Sequence, residues 1–459
     1  MGIYGALSAA VTGLRAQSHA LENISGNIAN SQTTGYKRIE TDFLDLIPDA
    51  PLKRQVPGAV IAQSRGTNDV KGDIRTVSNE TFVALNSNGF FVVEPKIGQS
   101  DGNSVFAGTN FYTRRGDFEI DKDGRLVNGA GYYLKGLDID PGTGNISGSV
   151  PKVIELSNAF LPAQKTNTIN YQANLPQLPK TANYKAEDDE SELLKVGDFT
   201  GGIDTIKGGD GDEFVSKSIS GGAITIYATN GAPANVQMRW AKTASADADA
   251  GTKDTWNLFY MTDSDADVAE DMWIKVDQDF TFGANGALEA PTSGITSLTE
   301  DGPLSINGII VDEVVLNHGT KGISQFADVN GTANVSTLSQ NGYGAGEFVS
   351  VAINDSGRVV ATYSNGERID MAQLVTADFN AINGLKRLDG GVFSSTSESG
   401  EPILDFSGTG VIGGALEASN TDISDEFTKL IVTQQAYSAG TRIVSTADEM
   451  LQEALNMIR

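Results

Sequence analysis

The chain has 459 residues, with 33 Lys and Arg against 59 Asp and Glu, a formal net charge of −26, and no Cys. That length allows two or three cores. The acidity argues against nucleic acid and anionic membranes as partners, because a phosphate backbone needs clustered Lys and Arg, and the missing Cys excludes disulfides and thiol chemistry. A Cys-free chain suits the cytosol, and equally export in an unfolded state to an oxidising exterior.

The first predicted element is a helix over 1–30. Apolar or small residues at Tyr4, Leu7, Val11, Leu14, Ser18, Leu21, Ser25 and Ile28 alternate by three and four, which draws one seam along it. No basic region precedes the apolar stretch, so it reads as amphipathic and no cleaved signal peptide is expected. Gly2, Gly5, Gly13 and Gly26 each cost about 1 kcal/mol against Ala, which leaves the helix marginal unless neighbours support it. It is expected to stop within NIANSQTTGYKR, residues 27–38, where Thr33, Thr34 and Gly35 predict a turn and no Cys, His or carboxylate offers chemistry. Residues 31–75 follow as a connecting arm.

Strand signals then recur with turn dipeptides. Asn88-Gly89 within TFVALNSNGFFVVEP, Asp123-Gly124, Asp355 to Gly357 and Asn365-Gly366 predict hairpins, and 76–165 with 344–415 read as one β domain. The segment between, 166–343, contains Trp240, Trp256 and Trp273 in short strand-like runs and predicts an inserted outer β domain with its own core. Its acidic runs AEDDESE, SADADAG and DSDADVAED read as solvated loops. Residues 1–75 carry a net charge of +1 and 415–459 carry −4, so the middle carries −23 and is the solvated part.

A long helix over 416–459 ends the chain. Its stripe runs Ile423, Phe427, Leu430, Gln434, Tyr437, Thr441, Val444, Asp448, Leu451, Leu455 and Ile458, with N-cap candidates at 420–422 and with Asp425 and Glu426 suited to the positive end of the helix dipole. All 13 Pro lie between Pro48 and Pro402, so both termini are free of the strongest helix breaker. The expected fold is a multidomain α+β chain: terminal α-helices pair in a coiled-coil-like inner domain, with mainly β outer domains nested between them. Two apolar stripes at the extreme termini predict ends that order on assembly.

No candidate for catalysis or ligand binding survives inspection. Gly408, Gly410 and Gly413 have the G-x-G-x-x-G spacing, but a dinucleotide site needs further parallel strands after its helix and here only the terminal helix follows, so a flexible hinge is expected instead. Asp263, Asp265 and Asp267 match the start of a calcium loop, which then fails at Val268 and Ile274. GGDGDEFV at 208–215 has no tandem copy to share a calcium with. His19 and His318 stand alone without Cys, so neither a metal, a cofactor nor an enzyme activity is expected.

The stretch ALSAAVTGLRAQSHALENISGNIANSQTTGYKR, with Ala29, Asn30, Thr33, Gly35, Tyr36 and Lys37 at the core A-N-x-x-T-x-G-Y-K motif, resembles the N-terminal signature of the bacterial flagellar rod and hook family. The last 45 residues, from ALEASNTDISDEF onward, resemble its C-terminal signature. NGFFVV, FYTRRGDFEIDKDGRLVN and VAINDSGRVVATYSNGE extend the likeness, the last of them toward the hook members. The resemblance implies a structural subunit that polymerises with itself into the curved hook, a universal joint between motor rod and filament. It further implies export without signal cleavage through the flagellar type III apparatus, with the distal rod protein, the hook cap protein and the hook-filament junction protein as partners. On this resemblance Tyr36, Lys37 and Arg38 are expected to reach neighbouring subunits. The alternatives are a straight, distal rod-type subunit and, from a different class, a secreted calcium-binding adhesin.

Overall fold

The computed structural model describes residues 3–46, 59–100, 103–140, 142–157, 159–188, 190–199, 201–247, 251–299 and 302–457. Gly2 and Ile458, both part of the expected helices, lie outside them. Among the described residues three α-helices are present, α1 (Ile3–Ala29), α2 (Gly211–Ser216) and α3 (Ile423–Met457), and nearly all the remaining regular structure is β. The chain forms two compact units, one of residues 1–158, 349–362 and 368–459 and another of residues 159–348 and 363–367.

In the first unit α1 and α3 pack together, and the hairpin of β1 (Ile39–Leu46) and β2 (Ala59–Gly66) lies along α1. Helix α3 starts where Asp422 can cap it: Oδ1 accepts the Ser424 N–H at 2.7 Å. The β body is one antiparallel sheet, in which Tyr132–Ile139 pairs with Phe90–Ser100 and with Arg368–Leu374. Its core is aromatic. Phe90 meets Phe393 edge-on at 5.4 Å and Tyr112 meets Phe379 at 4.8 Å, geometries in which ring edges face ring faces.

Asp123-Gly124 turns a hairpin between Phe118–Ile120 and Leu126–Asn128, with Gly124 at φ 78°. Asn88-Gly89 does not. The strands that flank it, Val83–Leu85 and Phe90–Ser100, pair elsewhere: the first with Val411–Gly413, the second with Phe111–Thr113, Tyr132–Ile139 and Thr376–Asp378. The glycines of GTGVIGG are likewise no flexible hinge. Gly408 lies against the Ser356 carbonyl and Gly413 against the Ile353 carbonyl, at separations that leave no room for a Cβ. They are there to let backbones touch.

The second unit is built on an antiparallel sheet in the order Thr205–Lys207, Asp271–Phe282, Asp254–Met261, Pro233–Ala244, Ile219–Tyr227. Alternation along these strands sends side chains to two cores. Trp240 and Trp256 enter the larger with Tyr171, Phe280 and Leu316, whereas Phe259 and Trp273 face Phe214 of α2. Trp240 Nε1–H donates to the Tyr171 hydroxyl at 2.8 Å, and that hydroxyl donates to the Gly221 carbonyl. GGDGDEFV therefore forms a helical turn whose Phe214 anchors a core. Of the acidic runs, AEDDESE departs from expectation at Glu192, which is buried.

His318 is buried against Phe280, with Nε2 3.1 Å from Thr296 Oγ1 and Nδ1 2.8 Å from the Gly319 carbonyl. Burial holds its pKa below the usual imidazole range. The unfolded chain takes up a proton as pH falls through about 6.5 while the folded unit does not, so acid favours unfolding, by up to about 1.4 kcal/mol per pH unit. Because all three Trp lie in this unit, thermal melts followed by Trp fluorescence should show its midpoint falling from pH 7 to pH 5. His318→Gln should flatten that dependence.

Candidate assembly interface

The two terminal helices run antiparallel. Near one end the Asn27 amide donates to Glu426 Oε2 at 3.1 Å, and halfway along Leu14 presses on Gly440, where a Cβ would lie 2.9 Å from Leu14 Cδ2. Within this pair α1 buries Ala16, Ala20, Ile24 and Asn27, and α3 buries Glu426, Thr433 and Ala447 with Leu430, Gly440, Val444 and Leu451 half-buried beside them. Small residues bring the backbones close, and the spacing by three and four keeps one face inward.

The seam read from large side chains overlaps this face at Leu14, Leu430, Val444 and Leu451 and otherwise sits beside it. Leu7, Leu14, Leu21 and Ile28 are half-buried and Val11 is exposed; of Tyr4 only the backbone is described. On α3, Ile423, Phe427, Tyr437 and Leu455 are exposed, as are Ile431, Val432, Ile443, Met450 and Met457. Phe427 is 48% accessible and Leu455 67%. So long a ladder of large apolar side chains on one exposed helix exceeds what a monomer's surface ordinarily scatters, and marks a contact surface.

Where α1 ends, the chain turns through the motif residues. Ala29 is the last helical residue, and the Asn30 side chain donates back to the Gly26 carbonyl at 2.9 Å. Thr33 Oγ1 reaches Asn30 Oδ1, and the Tyr36 N–H closes the turn on the Thr33 carbonyl. Gly35 has φ 65°, and a Cβ on it would lie 2.7 Å from the Arg114 carbonyl carbon, so both conformation and space require glycine. Asn27, next to the corner, is fully used: it donates to the Ile39 carbonyl and accepts from the Ile39 N–H and the Tyr36 hydroxyl. Arg387 lies over the Tyr36 ring at 4.5 Å.

Lys37 corrects the sequence expectation. Rather than reaching a neighbour it is 1% exposed, with Nζ 2.6 Å from Glu417 Oε1 and 2.7 Å from the Val70 carbonyl. The other Glu417 oxygen accepts from Arg114 Nη1 at 3.2 Å, and Arg114 also donates to the Leu85 and Ser87 carbonyls. Two buried cations therefore share one buried carboxylate. Burial, opposed only in part by Glu417, holds both the Lys37 and the Arg114 pKa below their usual values. At Arg38 the backbone N–H donates to Asn420 Oδ1 at 2.7 Å, while the half-buried guanidinium pairs with Glu40 at 2.9 Å. No spacing rule in the sequence signals this joint, whose carboxylate lies hundreds of residues from both cations.

His19, on α1, has Nε2 2.9 Å from Ser64 Oγ and helps fasten the hairpin to the helix. Among the described residues no group of three or more His, Cys, Asp or Glu is arranged to hold a metal, and no helix is long and apolar enough to cross a membrane.

Four family models match the chain in sequence order. They are described as Flagella basal body rod protein over 7–37, Flagellar hook protein FlgE/F/G D1 domain over 84–170, Flagellar basal body protein FlaE D2 domain over 218–343, and Flagellar basal body rod FlgEFG protein C-terminal over 412–457. Over their full lengths, Flagellar hook protein FlgE of Brucella suis is 27% identical, covering 100% of both chains. That of Escherichia coli is 29% identical, covering 98% of this chain and 100% of its own. Along its length the chain is thus similar to flagellar rod and hook proteins. The first and last of the family's matched segments are the two helices and the corner described above. A crystal structure of Helicobacter pylori flagellar hook protein FlgE2 aligns with 76% of this chain and 99% of that chain at 17% identity and a TM-score of 0.47.

Proposed function

We propose that this chain is the repeating subunit of a flagellar hook: it polymerises with copies of itself into a curved, flexible tube that couples motor rod to filament. The observation that carries the reading is the apolar ladder of α3, which the chain's own fold leaves exposed while full-length relatives are hook proteins. In this reading 1–30 and 416–459 form the inner tube, where α1 and α3 pack with their copies as a coiled-coil-like layer. The seam residues Tyr4, Leu7, Val11, Leu14, Leu21, Ile28, Ile423, Phe427, Leu430, Tyr437, Val444, Leu451 and Leu455 would gain burial there, at about 1.5–3 kcal/mol for each large side chain taken fully out of water.

Residues 31–75 act as the connecting arm. The domains of 76–165 with 344–415, and of 166–343, face outward and meet their copies through wet, polar contacts that exchange cheaply as the tube bends. The chain is exported without signal cleavage by the flagellar type III apparatus, added beneath a hook cap protein onto the distal rod protein, and joined to the filament by a junction protein. A straight distal rod subunit is the second reading, because two of the four family models carry rod descriptions. Electron microscopy of the concentrated full-length chain tests both. Curved tubes are the expected result, straight rods favour the second reading, and a chain that stays monomeric at every concentration overturns both.

A further inference from the structure

Three lysines among the described residues are buried, Lys37, Lys135 and Lys242, and each meets a carboxylate: Glu417, Glu94 and Asp254 respectively. Their further contacts differ. Lys37 donates to the Val70 carbonyl and Lys242 to the Gln177 carbonyl, both backbone groups, whereas Lys135 Nζ lies 2.8 Å from the side-chain amide oxygen of Asn110. Of the three, only Lys135 faces a carbonyl carbon that can lose its nitrogen without cutting the chain.

Strand register brings the groups together. Tyr132–Ile139 and Phe111–Thr113 flank Phe90–Ser100 on its two sides, with Tyr133 opposite Glu94 and Phe111 opposite Val93. Side chains alternate along a strand, so Lys135, two residues past Tyr133, shares the face of Glu94, as does Asn110, one residue before Phe111. Glu94 Oε2 accepts from Lys135 Nζ at 2.9 Å, and Oε1 accepts from the Gly108 N–H. Lys135 is 7% exposed and Glu94 5%, beside the Tyr133 ring, which the Phe106 ring meets edge-on at 5.1 Å. Asn110 is exposed and forms the rim of the site.

We propose that Lys135 and Asn110 join in an intramolecular isopeptide bond, with Glu94 as the acid and base for the step. Glu94 takes one proton from the Lys135 ammonium, which frees the Nζ lone pair and removes two buried charges at once. The amine then attacks Asn110 Cγ, which is bonded, at about 1.23 Å, to the oxygen that Nζ already touches. The Nζ–Cγ bond forms, the Cγ–Nδ2 bond breaks, and a second Nζ proton passes by way of Glu94 to Nδ2, which leaves as ammonia. The protons balance: those of the ammonium end on Glu94, on the ammonia and on the new amide N–H, and no outside reagent is needed. Fixed neighbours supply the encounter that free reactants lack. The exposed rim lets ammonia escape, so the bond persists once made. It ties together two strands across the one between them, which therefore cannot shear apart under load. The inference does not depend on how copies of the chain assemble.

Mass spectrometry of the purified full-length chain, held folded at neutral pH before analysis, tests this. The intact mass should fall below the sequence mass by about 17 Da, one ammonia. A tryptic digest should yield residues 97–114 joined to 126–152, uncut after Lys135 because its amine is acylated. Lys135→Arg keeps a cation beside Glu94 but removes the nucleophile, and Glu94→Gln removes the base; both should show the full sequence mass and no joined peptide. The parent's own digest decides the matter even where a variant fails to fold. A parent that releases residues 126–135 as a free peptide overturns the proposal, and so does an ammonia loss that maps to another Asn. Glu94→Gln linked as completely as the parent overturns the part assigned to Glu94.

Discussion

Glu417→Gln should lower the stability of the first unit by about 3 kcal/mol or more, because it strands two buried cations without their shared counter-ion. Lys37→Met should cost less: it forfeits the bonds to Glu417 and to the Val70 carbonyl but leaves Arg114 and Glu417 as a balanced pair. The molecule supplies its own control. All three Trp belong to the second unit, so in a urea titration the helix signal of the first unit should shift to lower denaturant in Glu417→Gln while the Trp fluorescence transition stays in place. Equal losses for the two variants would show that packing, not charge balance, sets the value of this joint.

Phe427→Asp should leave the monomer's melting behaviour within about 0.5 kcal/mol of the parent, as exposed substitutions usually do. Its polymer should nonetheless be lost. Burying Phe427 against a neighbour removes apolar surface from water, whereas an unpaired carboxylate in the same contact costs several kcal/mol. A rise of at least a hundredfold in the concentration needed for sedimentable polymer, equivalent to about 2.7 kcal/mol, is the expected result. Polymers forming at the parent's concentration would remove α3's outer ladder from the assembly surface.

The terminal helices were legible because their signals are local: spacing by three and four, the absence of Pro, and a capping Asp422 all act within a few residues. The face that joins them was legible only in Leu14, Leu430, Val444 and Leu451. Ala16, Ala20, Thr433, Gly440 and Ala447 are small or polar, so a search keyed to large apolar side chains passes over them and finds the neighbouring, outward-leaning stripe. Asn88-Gly89 failed for a different reason. The same dipeptide serves a hairpin or a corner, and the choice here depends on Val411–Gly413, hundreds of residues downstream. Lys37 was misread as surface because Lys is rarely buried without a partner, and its partner Glu417 lies 380 residues away with no spacing rule to connect them. The mainly β middle was visible in its turns and alternation, although the division of Trp273 from Trp240 and Trp256 follows from which way each strand is paired.

That same bond between Lys37 and Glu417 sets an order of events. A contact across 380 positions demands closure of nearly the whole polypeptide before it can form, the slowest kind of step in folding. The second unit draws almost all of its residues from one contiguous stretch and can complete itself while the tail is still being made. The first cannot: until Glu417 arrives, Lys37 and Arg114 lack the carboxylate that bridges them. The corner thus locks only once the segment that carries Glu417 has joined it.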